Sequence, residues 1–211
     1  MKILHLDSSI LGGNSLTRDL SAAVVADLRA RDPEAEVAYR DLVAEEIRHL
    51  DGAIAAGFRP TGGGGFDAAT LQEHQLSEAL VAQFLASDVL VIGAPMYNFS
   101  VPSQLKAWLD RIAQAGRTFR YTEKGPVGLS GGRSVIIVSG RGGFYAGGGP
   151  LAALDFQEAY LRAFFGFLGI TDIRVVRAEG ASKGEAIRAQ GLEAARAAIA
   201  EATAGLGRPA A

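Results

Sequence analysis

The sequence contains no cysteine, and this absence excludes several kinds of chemistry. Without a thiol there is no disulfide framework, no cysteine nucleophile, no CxxC redox pair and no thiolate ligand for zinc or an iron–sulfur cluster. The three histidines, His5, His49 and His74, are too widely spaced for a paired histidine metal site. Redox activity would therefore need a bound organic cofactor or a metal held without thiolates, and no metal site is predicted.

The sequence also has little excess charge and no long apolar run. Its 21 basic and 23 acidic residues give a net charge of −2, and no basic stripe indicates nucleic-acid binding. The opening residues, MKILHLDSS, are too short an apolar segment for a signal peptide, and no segment approaches the roughly 18 apolar residues of a membrane span. We therefore expect a cytoplasmic protein that binds neither membranes nor nucleic acids.

What the sequence does contain is a regular alternation of strand and helix patterns. Strands are predicted over residues 2–6, 36–40, 88–95, 133–139 and 172–178. Helices are predicted from residue 16 to the Asp32-Pro33 pair, and over 71–86, 103–115, 153–168 and 183–204. This order predicts an α/β fold, a doubly wound five-stranded parallel sheet with helices on both faces.

Residues 42–70 interrupt this alternation. They show no clear period and contain Gly57, Pro60 and a run of glycines from Gly62 to Gly65. We interpret them as an insertion or a lid within a single domain that spans residues 1–211.

In a doubly wound sheet, ligands bind beyond the carboxyl ends of the strands, so the loops after the first, third and fourth strands are candidate sites. The loop of residues 7–17 offers the hydroxyls of Ser9, Ser15 and Thr17 and the N–H groups at a helix start, which favour an anion. It has no lysine and lacks G-x-x-x-x-G-K-[ST], so it suits a single phosphate better than a triphosphate. The alternative is an ordinary turn in which Asn14 or Ser15 caps the helix.

The loops after the third and fourth strands offer planar side chains and glycines. Residues 96–99, Met-Tyr-Asn-Phe, suit a planar ligand with polar edges, although the same aromatics could instead pack in the core. Residues 139–143, Ser-Gly-Arg-Gly-Gly, let the backbone approach a ligand closely. The alternative for the second loop is a flexible turn with Arg141 as a surface charge.

Two glycine motifs are rejected. Residues 128–132 satisfy G-x-S-x-G but precede a strand, whereas a nucleophile elbow lies between a strand and the following helix. Residues 147–152 loosely match a dinucleotide fingerprint but lie well past their strand. The carboxylates Asp7 and Asp110 have no visible partner, His5 is interpreted as a core or sheet-end residue, and no catalytic acid or base is predicted.

Longer strings are more specific than these motifs. They are APMYNF at residues 94–99 followed by QLK at 104–106, TFRYTE at 118–123, SSIL at 8–11, RGG at 141–143 and FLGITD at 167–172. With these strings the chain resembles, almost from end to end, the FMN-dependent NADH:quinone oxidoreductases, also called FMN-dependent NADH-azoreductases, of the flavodoxin-like superfamily. One departure is Gly140, which separates Ser139 from Arg141 where family members often have Ser-Arg-Gly-Gly.

The resemblance implies a flavodoxin-like fold, a bound FMN, and two-electron transfer from NADH or NADPH to quinones and azo compounds by a ping-pong mechanism. The cofactor would carry the chemistry, so no catalytic residue is assigned. The residues expected to contact FMN are Ser9, Ser15, Leu16, Thr17, Met96, Tyr97, Asn98, Phe99, Ser139, Gly140, Arg141, Gly142 and Gly143. Those expected to form the substrate pocket are Arg59, Tyr121, Phe144, Phe164 and Phe165.

The resemblance also implies a homodimer with active sites at its interface. Tyr121 and Phe164 or Phe165 are the expected contacts with the partner chain, since the aromatic cluster of residues 164–167 is too wide for one buried helical stripe. The alternative is that these side chains all pack within their own core.

Two other functions remain open. One is a flavodoxin-like electron carrier and the other is a regulatory flavin-binding protein without turnover. Carriers are often shorter and strongly acidic, whereas the net charge of −2, the extra 42–70 segment and the aromatic helix at 156–168 favour an enzyme. The sequence leaves open the choice between NADH and NADPH and the identity of the acceptor.

Overall fold

The computed structural model of the protein describes residues 1–58 and 65–206. Within these residues the chain forms seven strands: β1 (Lys2–Asp7), β2 (Glu36–Asp41), β3 (Val89–Pro95), β4 (Phe119–Thr122), β5 (Gly125–Gly128), β6 (Ser134–Gly140) and β7 (Asp172–Ala178). The helices are α1 (Leu16–Arg31), α2 (Gly52–Ala56), α3 (Ala68–Ala86), α4 (Ser103–Ile112), α5 (Phe156–Phe167), α6 (Glu185–Ala197) and α7 (Ile199–Ala202).

Five of the strands form one parallel sheet in the order β2-β1-β3-β6-β7. The central strand β3 is buried along its whole length, which explains its continuous apolar sequence, whereas the edge strand β2 is largely exposed. The predicted doubly wound sheet of five parallel strands is therefore confirmed.

Helices cover the two faces of this sheet and form a core on each. One core combines side chains of α3, α4 and α5, such as Phe84, Trp108 and Phe165, with the strands. The other combines side chains of α1, α6 and α7, such as Leu20, Ala195 and Ile199. The helices on both faces that the sequence predicts are present.

The structure differs from the predicted elements in three places. Strands β4 and β5 form an antiparallel hairpin after α4, in residues for which no strand was predicted. The last helix is divided between Ala197 and Ile199, and α3 begins at Ala68, inside the segment interpreted as an insertion. The hairpin was missed because its strands are only four residues long and carry two glycines and a proline.

The segment after β2 is partly packed against the domain. Leu42, Ile47 and Ile54 are buried, and His74 of α3 forms a 2.8 Å hydrogen bond with the Ala53 carbonyl oxygen. Residues 59–64, with Arg59 and most of the glycine run, lie outside the described residues. Among the helices that the structure describes, none has the length and hydrophobicity needed to cross a membrane.

Candidate functional site

The carboxyl ends of β1, β3, β6 and β7 surround a cavity of about 430 Å³. Its walls come from the loops that follow these strands and from the first turns of α1 and α6. The lining residues are Ser9, Leu11, Asn14, Ser15, Leu16, Thr17, Pro95, Met96, Tyr97, Gly140, Arg141, Gly142, Ala181, Ser182 and Arg188. Among these described residues there is no aspartate or glutamate, so the wall is suited to an anionic or neutral ligand.

The loop between β1 and α1 presents hydroxyl and amide groups to the cavity. Ser15 caps α1 by accepting a hydrogen bond from the Arg18 N–H, and the Ser15 and Thr17 hydroxyl oxygens lie 3.1 Å apart. In the described part of the chain, the N–H groups of Leu16 and Thr17 form no hydrogen bond, as is usual for the first turn of a helix. Ser15 is thus both the helix cap and a cavity residue, so the two interpretations of this loop are compatible.

A buried polar network supports this loop from below. Ser21 and Tyr39 donate hydrogen bonds of 2.8 and 3.2 Å to the Asp7 carboxylate, and His5 Nε2 lies 2.9 Å from the Ser21 hydroxyl oxygen. Asp7 therefore has the partners that the sequence did not reveal, and His5 is the hydrogen-bonded sheet residue that was expected. The network fixes the end of β1, where the loop begins.

Arg18 ties the loop to the edge of the sheet. Its guanidinium donates hydrogen bonds of 2.9 Å to the Ser9 carbonyl oxygen and 2.7 Å to the Asp41 carboxylate. The hydrogen bond with Asp41 raises the pKa of Arg18, and the same bond lowers the pKa of Asp41, so both groups stay charged. The position of Ser9 is thus held by a charged pair.

The loop after β3 forms a tight turn. Tyr97 and Ser100 exchange two backbone hydrogen bonds of 3.0 Å, and Asn98 and Phe99 between them adopt positive φ angles of 47° and 71°. Met96 and Tyr97 line the main cavity, and the Tyr97 hydroxyl accepts a 3.1 Å hydrogen bond from the Ile10 N–H. Asn98 and Phe99 occupy the exposed tip of the turn.

A second cavity of about 580 Å³ shares Tyr97 with the first. It is lined by Tyr97, Asn98, Ser100, Val101, Ser103, Lys106 and Tyr160. Burial and, secondarily, the Asp110 carboxylate raise the pKa of Tyr160 to about 12, so its phenol stays neutral at ordinary pH. The predicted contact residues 96–99 are thus divided, with Asn98 on the second cavity and Phe99 on neither.

The loop after β6 approaches the cavity through its backbone. A Cβ atom on Gly140 would lie 2.6 Å from Thr17 Cγ2, and one on Gly142 would lie 2.8 Å from the Ser182 hydroxyl oxygen. The Ser139 hydroxyl donates to the Gln157 side chain and accepts a 2.9 Å hydrogen bond from Arg141, so it is engaged inside the protein. Neither Ser139 nor Gly143 lines the main cavity.

The Arg141 side chain is not a surface charge, contrary to the alternative considered from the sequence. It is fully buried and lies 2.8 Å from Asp155, 3.1 Å from Glu158 and 3.3 Å from Glu179. Glu179 also accepts hydrogen bonds from the Tyr145 and Ala146 N–H groups. Arg141 therefore joins the loops after β6 and β7 to the start of α5.

Residues after β7 contribute to the cavity but were not selected from the sequence. They are Ala181 and Ser182 in the loop and Arg188 in α6. The carboxyl end of β7 lies at the same edge of the sheet as those of β1, β3 and β6, so the order of the strands is the signal that would have included this fourth loop.

The residues expected to form a substrate pocket lie in different environments. Tyr121 is 74% exposed on the β4–β5 hairpin, Phe144 is exposed, and Phe164 is half-buried; none of the three lines the main cavity. Phe165 is fully buried in the core, so its expected role in a pocket or interface is corrected: adjacent residues of a helix face different directions, and Phe165 faces the sheet. Arg59 lies outside the described residues.

Comparison with known proteins identifies relatives over almost the whole chain. A family model described as a flavodoxin-like fold matches residues 1–203. An FMN-dependent NADH:quinone oxidoreductase of Ralstonia nicotianae is 67% identical over 199 residues, covering 94% of this chain and 95% of that protein. A protein of the same name from Xanthomonas euvesicatoria, numbered 2, is 59% identical over 208 residues, covering 99% and 96%.

Solved structures show a similar relationship. A crystal structure of an azoreductase from Bacillus anthracis superposes with a TM-score of 0.83 at 28% sequence identity. The similarity covers 95% of this chain and 99% of that one.

Proposed function

The chain belongs to the flavodoxin-like family of the FMN-dependent NADH:quinone oxidoreductases, and from this we propose that it binds FMN and transfers electrons from NADH to quinones and azo compounds. The observation that carries the proposal is the cavity at the carboxyl ends of β1, β3, β6 and β7. It combines a helix start rich in hydroxyls with the side chains of Met96 and Tyr97 and a close glycine backbone, and no carboxylate lines it among the described residues.

These residues fit a flavin mononucleotide. The Ser9, Ser15 and Thr17 hydroxyls and the free N–H groups at the start of α1 match one phosphate group. The volume of about 430 Å³ lies within the range of small-molecule sites. Met96 and Tyr97 can pack against a planar ring, and Gly140 and Gly142 let their loop lie close to Thr17 and Ser182 in the cavity wall.

The protein's contribution is to hold and orient the cofactor. When bound, FMN supplies the chemistry, because it can accept a hydride from NADH and deliver two electrons to an acceptor. No catalytic acid or base is assigned. The neutral Tyr160 phenol and the Lys106 ammonium line the adjoining cavity and can donate hydrogen bonds to a second ligand there.

We further propose that donor and acceptor occupy the same slot in turn. This ping-pong scheme is supported by the position of Tyr97, which lines both cavities, so that a planar ligand beside it would adjoin a flavin in the first cavity. Initial rates at several fixed acceptor concentrations are expected to give parallel double-reciprocal lines against NADH. Intersecting lines would indicate a ternary complex and would exclude a shared slot.

The proposal includes a homodimer whose partner chain completes the substrate pocket. The exposed Tyr121 and Phe144 and the half-buried Phe164 support this, since apolar side chains left at a surface are suited to an interface. Residues 42–70, with Arg59, are proposed as a lid within the same domain. Arg59→Ala is expected to raise the KM of the acceptor and to leave FMN affinity unchanged.

Two measurements test the function itself. The purified protein should show the absorption spectrum of a flavin, and heat should release FMN that chromatography identifies; recovery of FAD, or no flavin after saturation with FMN, would contradict the proposal. Steady oxidation of NADH by a benzoquinone and by an azo dye should follow. An electron carrier or a regulatory protein would bind flavin but show little turnover.

Fractionation of cells tests the proposed cytoplasmic location.

A further inference from the structure

Arg188 is a cation in the wall of the main cavity that has no acidic partner among the described residues. It lies in the first turns of α6 and lines the same cavity as Asn14, Ser15, Leu16 and Thr17 at the start of α1. Its side chain is exposed and forms no hydrogen bond or ion pair with any residue that the structure describes.

The other arginines near the cavity are neutralised. Arg141 lies within 3.3 Å of three carboxylates, and Arg18 donates its hydrogen bonds to Asp41, Ser9 and Tyr39. In the described part of the chain, Arg188 is therefore the lining cation whose charge is not balanced by a neighbouring acid. A positive charge beside hydroxyls, free N–H groups and a helix start favours a dianionic phosphate.

Two helices converge at this point of the cavity. The α1 and α6 helices pack on the same face of the sheet, and both begin at the carboxyl edge. The cavity wall thus receives donors from α1 on one side and the guanidinium of α6 on another.

Resting on the proposed FMN binding, we propose that Arg188 is the residue that recognises the 5′-phosphate of the flavin. It supplies the positive charge that the loop of residues 7–17 lacks, and it distinguishes FMN from riboflavin, which has the same ring and ribityl chain without the phosphate. Arg188 is thus a binding and specificity residue, with no part in the chemistry on the ring.

The test compares two flavins on the flavin-free protein. FMN and riboflavin are titrated against wild type, Arg188→Gln and Arg188→Lys, with binding followed by quenching of flavin fluorescence. We expect Arg188→Gln to weaken FMN binding about tenfold and to leave riboflavin binding unchanged, because only FMN loses a charge-assisted hydrogen bond. Arg188→Lys should lose less, since lysine keeps the charge but not the paired donors.

Arg196→Gln is the matched control. It makes the same change of charge on the same helix, but eight residues further along, about 12 Å from Arg188 by the rise of a helix, and it does not line the cavity. Its FMN affinity should equal that of wild type. Added salt should weaken FMN binding by wild type more than by Arg188→Gln, since screening acts on the charged contact.

Two results would overturn the inference. The first is an FMN affinity of Arg188→Gln equal to that of wild type; if the KM for NADH rises at the same time, the arginine binds the dinucleotide instead. The second is an equal loss of affinity for FMN and for riboflavin in Arg188→Gln. A wild-type protein that binds neither flavin would instead refute the proposed function itself, so the two failures are distinguishable.

Discussion

At the scale of single residues, Asn98 combines a backbone requirement with a proposed ligand contact. Its φ of 47° lies in the left-handed region, where asparagine and glycine are tolerated better than alanine. Its side chain lines the second cavity beside Tyr97, which lines both cavities, and we propose that Asn98 reaches the rim of a flavin bound in the first. Asn98→Gly and Asn98→Ala can separate these roles. Both remove the side chain, but glycine does so without straining the backbone.

We expect both Asn98→Gly and Asn98→Ala to weaken FMN binding about fivefold, the effect of losing a hydrogen bond worth about 1 kcal/mol. Only Asn98→Ala should lower the free energy of unfolding of the flavin-free protein, by about 1 kcal/mol, through backbone strain. Flavin titration and urea denaturation measure the two quantities. Unchanged affinity in both variants would remove Asn98 from the contacts.

Gly93 is required by the buried polar network that supports the loop between β1 and α1. It pairs with Asp7 across β1 and β3, and a Cβ atom there would lie 2.2 Å from the Asp7 carboxylate oxygen. Because Asp7 is held by Ser21 and Tyr39, the carboxylate cannot move aside without losing hydrogen bonds.

Gly93→Ala should therefore lower the free energy of unfolding by about 2 kcal/mol or more, as overpacking in a buried strand does. Gly52→Ala at the start of α2 is the control, since a Cβ atom added there would meet no described atom within 4 Å and its effect should stay within about 1 kcal/mol. Equal unfolding midpoints for the two variants would show that the Asp7 carboxylate can move aside without lowering the free energy of unfolding.

At the scale of elements, a group of charges joins β6, β7 and α5. Burial alone would raise the pKa of Glu158, but hydrogen bonds from Arg177 and Arg162 outweigh it and hold the pKa at about 2, below its ordinary value of 4.5. Glu158 also lies 3.1 Å from Arg141. The junction beneath the site thus depends on an ionised carboxylate.

Because of this depressed pKa, the free energy of unfolding is expected to depend on pH in the acidic range. Ionised Glu158 contributes fully above its unfolded pKa near 4.5, and the contribution is lost as the pH falls from there toward 2. In Glu158→Gln, we expect the unfolding free energy to be lower at neutral pH and to fall less steeply between about pH 5 and about pH 3. Glu193→Gln, an exposed change on α6, should retain the wild-type slope; a wild-type slope in Glu158→Gln would contradict the assignment.

At the scale of the whole molecule, the β4–β5 hairpin places the aromatic ring of Tyr121 at the surface, outside the chain's own core. Tyr121 is largely exposed, although its neighbour Phe119 is buried and contacts it edge-to-face at 5.4 Å. A two-fold assembly would use this surface twice and create two equivalent sites.

Light scattering at micromolar concentration should therefore report twice the chain mass of 22.0 kDa. Tyr121→Ala should reduce turnover or dimerisation and leave FMN affinity nearly unchanged, since the ring lies outside the cavity of its own chain. Tyr121→Phe keeps the ring and should behave as wild type. A monomer with full flavin binding and turnover would exclude the assembly and the shared pocket.

The order of the elements and most of the loops around the candidate site follow from local patterns in the sequence. A short apolar run and apolar residues at a spacing of four are local properties, so β3 and α1 were recognised within one or two residues of their observed bounds. The parallel order then placed the loops after β1, β3 and β6 at one edge, and the string at residues 94–99 indicated the family.

Which side chains meet depends instead on how the elements pack in three dimensions. Asp7 finds Ser21 and Tyr39 through contacts between β1, α1 and β2, and Arg141 finds its carboxylates at the start of α5 and in the loop after β7. Arg188 joins the cavity because α6 packs beside α1. Such neighbours are set by the order and register of strands distant in sequence, whereas a local pattern records only which face of its own element each residue occupies.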